Sequence, residues 1–342
     1  MTTVAVIGGG VIGLAIAWRC LERGHEVSVH DPDPGGGATG VAAGMLAATG
    51  EARFGEEPLH RLLLAAARRW PEFAAALASA SKKDLSYRSD GTVLVAGTDD
   101  DLRAVTRLVD FHRRCGLPVQ PLTAAEVRER EPLLSPRVRG GAFLPDDGQV
   151  DPRRVARALM SLVPVSDTPP EDAELTVIAA GHASAGLVPG LPVRPVKGQI
   201  LRLRGMGLTR VIRGHVANRS VYIVPRADGE VVVGATEEER GTDTTVTAGG
   251  VLDLLRPAVA LVPGLAEYEL VEATAGLRPG TPDNAPLIGV VRPGVVVATG
   301  HYRDGVLLAP VTADAIVELL DTGELPELVK PFHPNRFTDV HR

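Results

Sequence analysis

Apolar positions along the chain come in two rhythms: short β-branched runs, and longer stretches spaced at three and four. Val4 to Ile7 is a run of the first kind and predicts a buried strand. Leu14, Ile16, Ala17 and Leu21 then follow the helical spacing up to Gly24, and Val27 to Val29 predicts a second strand ending at Asp31. Leu59 to Ala80 is helical in pattern, with Pro71 predicting two helices or a break. Tyr87 to Val95 predicts a hairpin turned by Ser89-Asp90-Gly91. Asp100 to Cys115 predicts a helix with Leu102, Val105, Leu108, Val109 and Phe111 on its apolar side. Thr123 and Glu126 have the spacing of a capping box, and Val138 to Leu144 predicts a strand. Asp151 as N-cap and Pro152 behind it open a helix from Arg153 to Leu162.

Pro164 to Glu174 is proline-rich and acidic and reads as a loop. Leu175 to Gly181 reads as a buried parallel strand that returns to the first sheet, which implies interleaved domains. Val193 to Leu203 predicts a strand with a turn at Pro195-Val196-Lys197-Gly198-Gln199. Val221 to Arg226 and Glu230 to Thr236 predict a hairpin turned by Ala227-Asp228-Gly229. Val251 to Val262 reads as a helix, Leu270 to Leu277 as a strand ending at Arg278-Pro279-Gly280, and Val295 to Gly300 as a last buried strand. Val306 to Leu320 is the final helix, and Lys330 to Arg342 has no period and is expected at the surface.

The first strand and helix are joined by Gly8-x-Gly10-x-x-Gly13. Gly8 permits a tight turn, Gly10 lets backbone approach a pyrophosphate, and Gly13 lets the helix pack closely on the strand. The helix N-terminus favours the anion through its free N–H groups and its dipole. Asp31 can accept hydrogen bonds from a ribose 2′-hydroxyl, which favours NAD or FAD over a cofactor with a 2′-phosphate. The loop from Pro32 through Ala38 and Thr39 has no helix or strand period, and the small residues Ala42-Ala43-Gly44-Met45-Leu46 after it either let backbone approach such a cofactor or form a plain linker into a helix.

Composition narrows the classes. The 342 residues are 44% apolar with a net charge of -6, enough for a large core and without a basic tract for nucleic acid. No apolar run approaches a membrane span, and the first strand begins too early for a signal peptide, so a cytoplasmic protein is expected. Cys20 and Cys115 form no metal or redox pattern and read as reduced, packed thiols, and no metal site is expected.

Several segments together resemble the FAD-dependent glycine oxidases of thiamin biosynthesis, within the D-amino-acid oxidase group of flavoproteins. They are the glycine motif through Asp31, Ala42 to Leu46, Pro195 to Gln199, Tyr222-Ile223-Val224-Pro225-Arg226, Gly234-Ala235-Thr236, Ala275-Gly276-Leu277-Arg278-Pro279-Gly280-Thr281, and Gly300-His301-Tyr302-Arg303-Asp304-Gly305. The resemblance implies a mixed α/β fold in which a Rossmann-like FAD-binding domain is interleaved with an antiparallel-sheet substrate domain. The first would take residues 1–85, 145–195 and 275–330, the second 86–144 and 196–274, with a tail at 331–342. It implies FAD contacts at Gly8, Gly10, Val11, Ile12, Gly13, Asp31, Pro32, Ala38, Thr39, Ala43, Gly44, Met45 and Val165. It also implies that His301, Tyr302, Arg303, Asp304, Gly305, Val306 and Leu307 wrap the flavin ring.

By the same resemblance Arg278 pairs with the substrate carboxylate, Arg303 is a second pocket arginine, and Tyr222 is an active-site tyrosine. A guanidinium suits that role because its planar fork binds a carboxylate bidentately. Three departures stand out: the short Pro164–Glu174 region, Ser220 as a variable pocket position, and Glu237 where an apolar residue is expected to meet substrate. The implied reaction is oxidation of glycine by hydride transfer to FAD, with dioxygen as acceptor and hydrogen peroxide, iminoacetate or glyoxylate, and ammonia as products. Sarcosine and small D-amino acids stay open as substrates. The alternatives are a D-amino-acid or sarcosine dehydrogenase with another acceptor, and a non-catalytic nucleotide-binding regulatory protein. A homo-oligomer, tetrameric by the resemblance, is expected.

Overall fold

The computed structural model describes residues 1–167 and 173–341, with backbone alone for the last four. Two sheets carry the architecture. The first has six strands in the order Leu287–Arg292, Val295–Thr299, Leu175–Ile178, Thr3–Ile7, Glu26–His30 and Val165–Ser166. All neighbours are parallel except the first pair. Leu175–Ile178 does return to lie beside Thr3–Ile7, which pairs with Glu26–His30 on its other edge. Residues 168–172 of the proline-rich loop lie outside the described residues.

The second sheet has eight strands: Glu269–Gly280, Arg194–Arg204, Glu230–Gly234, Arg219–Pro225, Val211–Val216, Thr92–Ala96, Gly140–Leu144 and Gln120–Thr123, in that order. It is antiparallel apart from Val211–Val216 beside Thr92–Ala96. The helix Ala248–Leu261 buries Leu254, Ala258 and Leu261 in the same apolar cluster as Leu201, Ile212, Ile223 and Val233 of this sheet.

The largest core joins the first sheet to the helices Val11–Glu22, Glu57–Ser81 and Gly305–Thr322. The last of these is buried almost all round, as its apolar sequence demands. Trp70 fixes it to the long helix by donating its indole N–H to the Leu307 carbonyl at 2.9 Å, while Phe73 meets Trp18 edge-on. Both expected caps are made: Thr123 with Glu126, and Asp151 accepting from the N–H groups of Arg153 and Arg154.

Five local expectations change. Glu57–Ser81 is one helix through Pro71; the neighbouring Trp70 and Phe73 are fully buried, and their packing outweighs the missing hydrogen bond. Thr92–Ala96 does not fold back on residues 87 and 88. All five of its residues are buried, so it needs a partner on both edges and finds them in distant strands. Arg194–Arg204 runs straight through the expected turn. Cys20 is buried, but Cys115 is exposed. The C-terminal segment is docked: Phe332 is buried, and Arg336 holds Asp283 at 2.8 Å and the Ala285 carbonyl at 3.0 Å. Among the described residues no helix is long and apolar enough to cross a membrane, and no group of three or more His, Cys, Asp or Glu could hold a metal.

The Val11–Glu22 helix sits tightly on its strand: a Cβ on Gly13 would lie 1.9 Å from the Gly8 carbonyl oxygen. Gly13→Ala should therefore destabilise the fold by about 2–3 kcal/mol, read as a lower midpoint at unchanged slope in urea unfolding.

Candidate active site

A cavity of about 700 Å³ opens between the two sheets. One wall is backbone-rich. Gly8 turns at φ +115, where a side chain would strike the Ala179 carbonyl, and Asp31 caps the strand ends behind it. The Asp31 carboxylate accepts from the N–H groups of Gly9 at 2.5 Å and Asp33 at 2.8 Å. The Val11–Glu22 helix starts without a side-chain cap on Gly10 and without an acid in its first turn, so its positive end faces the cavity uncompensated. Thr39 braces it, its hydroxyl oxygen accepting from Val11 N–H at 3.0 Å.

The opposite wall is a row of side chains across the eight-stranded sheet. Arg213 is paired with Tyr222, and Tyr222 with Gly234. Gly234 leaves the space that the Tyr222 ring fills: a Cβ there would lie 2.3 Å from the hydroxyl. Gly198 does the same for Arg278, where a Cβ would lie 2.4 Å from the guanidinium. This is why Gly198, a turn signal in the sequence, sits mid-strand. Arg278 donates to the Thr236 carbonyl at 3.1 Å and bonds the Tyr222 hydroxyl. Burial raises the Tyr222 pKa, with Arg278 opposing it.

Residues 301–304 close the third side. Tyr302 adopts a left-handed φ of 50°, held by its N–H on the Pro279 carbonyl at 3.0 Å. Burial and a hydrogen bond to the Glu237 carboxylate push its phenol up to about 12. Glu237 is itself exposed at the cavity rim, as is Ser220. His301 is buried against Thr312 at 3.0 Å, and burial drives its pKa down to about 3, so it stays neutral.

Of the residues singled out in the sequence, Gly8, Gly10, Val11, Ile12, Asp31, Pro32, Ala38, Thr39, Ala43, Gly44 and Met45 line the cavity. Tyr222, Glu237, Arg278 and His301 through Val306 line it too. Gly13, Val165 and Leu307 do not. Gly13 faces Gly8, Val165 pairs with Val29 at the sheet edge, and Leu307 is buried in the core. Gly44 also has a structural reason, since a Cβ would lie 2.0 Å from the Val150 carbonyl.

An ionic cluster went unread in the sequence. Glu51 accepts from Arg213 through one carboxylate oxygen and lies 3.1 Å from Arg303 Nε through the other. Asp147, fully buried, accepts from Thr49 N–H at 3.1 Å and lies beneath Gly50 next to Arg213. Burial raises the Glu51 carboxyl, and Arg213 and Arg303 outweigh that, so it stays below the usual value. Burial pushes Asp147 and Asp304 each up to about 7. The available signal was a lone charge in an apolar setting: Arg213 within Val211-Ile212-Arg213-Gly214, and Glu51 after Ala47-Ala48-Thr49-Gly50.

A family model described as FAD dependent oxidoreductase (DAO) matches residues 3–163 and 161–319. The chain belongs to the DAO family. A glycine oxidase of Geobacillus kaustophilus is 34% identical over 97% of this chain and 96% of its own length. A crystal structure of glycine oxidase from that organism superposes with a TM-score of 0.89, at 33% identity, over 98% of this chain and 99% of the other. A bifunctional protein ThiO/ThiG of Trichormus variabilis is 33% identical over 98% of this chain, which spans 55% of that longer protein. The family's cofactor is FAD, and the cavity suits it. The helix N-terminus, with no acid in its first turn, and the glycine cradle fit a pyrophosphate, and the anchored Asp31 carboxylate fits a ribose hydroxyl.

The raised Asp147 carboxyl has a consequence for stability. It stays protonated in the fold and ionises in the unfolded chain, so its contribution is full below about pH 4 and is lost as pH rises through about 7. Asp147→Asn should lose less stability than the parent across that window, by at least about 1 kcal/mol in urea unfolding at the two ends.

Proposed function

We propose that this chain oxidises glycine with FAD and dioxygen, giving hydrogen peroxide, ammonia and glyoxylate, or iminoacetate before hydrolysis, and that it supplies the thiazole branch of thiamin biosynthesis. The observation that carries this reading is Arg278. Its guanidinium is half-buried on the cavity wall, braced by Thr236 and Tyr222 and left with donors for a carboxylate. The glycine oxidase and ThiO/ThiG relatives support the substrate and the pathway.

Bound FAD supplies the two-electron acceptor that dioxygen restores. The chain's own residues do the rest. Arg278 holds the substrate carboxylate, and Tyr222 keeps the guanidinium in place. The Glu51–Arg303 pair fixes the 301–304 turn beside it. Orientation of a two-carbon substrate against one reacting atom accounts for much of the rate. In this reading the six-stranded sheet carries the cofactor and the eight-stranded sheet the substrate. The enzyme works in the cytoplasm as a homo-oligomer, and light scattering on the purified protein checks the assembly: a monomer refutes it.

Glycine added without air should bleach a flavin spectrum, and air should restore it with release of peroxide. Bleaching by sarcosine or a D-amino acid alone would reassign the substrate, and recovery only with a dye would make the protein a dehydrogenase. Arg278→Lys should lower kcat/KM for glycine by about 10²-fold, mostly through KM, because the bidentate fork is lost.

A further inference from the structure

The strand Arg194–Arg204 presents different residues to the two sides of its sheet. Gly198 lies on the cavity side and leaves room for the Arg278 guanidinium. Its neighbours Lys197 and Gln199 point the opposite way, as alternation along a strand requires. Gln199 meets the start of the helix Ala248–Leu261, its side-chain oxygen accepting from Thr247 N–H at 2.9 Å. Lys197 is only 1% exposed and does not line the cavity. An ammonium held out of water is costly unless it is paired. Lys197 Nζ donates to the Asp243 carboxylate at 3.0 Å and lies 3.8 Å from that of Glu238.

Both partners belong to the loop that follows Glu230–Gly234, and the contacts continue along it. Glu238 exchanges two backbone hydrogen bonds with Lys197, each at 2.9 Å. Its carboxylate accepts from Gln199 Nε2 at 2.7 Å and from the Thr236 hydroxyl at 2.6 Å. The Thr236 hydroxyl oxygen in turn accepts from Gln199 N–H at 2.9 Å, and Thr236 N–H donates to the Gln199 carbonyl at 3.2 Å. Thr236 is thus held by side chain and backbone together. Its carbonyl is the group that braces Arg278 at 3.1 Å. The contacts therefore run unbroken from the Lys197 ammonium through Glu238 and Thr236 to the Arg278 guanidinium. Arg240, exposed on the same loop, attracts Glu238 from the solvent side, where water and salt screen it. The Tyr222 hydroxyl is the second brace on Arg278 and takes no part in this chain.

We propose that Lys197 is a positioning residue for the substrate: from behind the sheet, through Glu238 and Thr236, it sets the direction in which Arg278 presents its donors to the substrate carboxylate. The inference rests on the carboxylate role given to Arg278 above. A buried ammonium suits this task because it draws two carboxylates of one loop to a fixed point. A neutral side chain in its place would fill the space and leave Glu238 free to turn to solvent.

The test uses the holoenzyme and glycolate, which is glycine with a hydroxyl in place of the amine. Its binding is read as a shift of the oxidised flavin spectrum. Lys197→Met keeps the length and removes the charge. It should weaken glycolate binding about tenfold and raise KM for glycine by the same factor, with kcat and FAD affinity within about twofold of the wild type. Glu238→Ala cuts the chain at its next link, on a partly exposed side chain, and should show the same pattern. It carries the test if Lys197→Met does not fold. In an Arg278→Lys background either change should alter glycolate binding by less than about twofold, because the fork that the chain directs is gone. Unchanged glycolate binding, or an equal loss with and without Arg278, would overturn the proposal. So would a loss confined to kcat or to FAD affinity, which is what a loosened fold alone would give. Glycolate binding that depends on Lys197 through Arg278, in a protein that glycine never bleaches, would uphold the positioning role and refute glycine oxidation. Bleaching by glycine with additive losses would do the reverse.

Discussion

The contact on which the rest depends is that of Gly13 with the Gly8 carbonyl. It seats the first helix on the first strand with no side chain between them. From that seat follow the direction of the helix end, the place of Thr39 against it, and the reach of Asp31 to Gly9 N–H. The final helix packs against the first one and is bolted to the long helix through Trp70. The turn at 301–304 therefore arrives at the cavity by the same chain of contacts. A shift of the first helix would move two walls together.

The third wall is tied to these by charge. Arg153 holds Glu272 through a double contact at 2.8 and 2.9 Å and reaches the Gly40 carbonyl at 2.6 Å. Arg202, itself buried, reaches the same carbonyl at 3.3 Å and pairs with Glu230 at 2.8 Å. These links join Arg202, Glu230 and Glu272 of the eight-stranded sheet to the short helix Gly37–Val41 that follows the glycine motif and to the helix Pro152–Met160. Partly buried pairs of this kind add little net stability, and their geometry fixes register between layers.

The central strands of the first sheet were legible because Thr3–Ile7, Leu175–Ile178 and Val295–Thr299 are short apolar runs followed closely by Gly8, Gly181 and Gly300, whereas the edge strands Leu287–Arg292 and Val165–Ser166 carried no such pattern. The glycine motif and Asp31 fall in the same class. What could not be read was set by distant partners. Thr92–Ala96 takes both neighbours from elsewhere in the chain, so its adjacent turn signal misleads. Gly198 looks like a bend because the arginine that needs its space lies eighty residues on, at Arg278. Arg278, Arg303 and Tyr222 were found through resemblance, and the structure brings them to one cavity. Arg213, Glu51 and Asp147 come from three separate segments, and no spacing in sequence announces a cluster assembled that way.

The clearance of Gly198 for Arg278, and of Gly234 for Tyr222, constrains how this protein can vary over descent. A lineage that gains a side chain at Gly198 expels the guanidinium in the same step. One that trades Arg278 for a smaller residue widens the cavity and removes its guanidinium. Neither change is neutral alone, and the compensating change is neutral only after the first. The two positions are thus bound as one inherited unit, and the cavity's most specific group is protected by a residue that has no side chain.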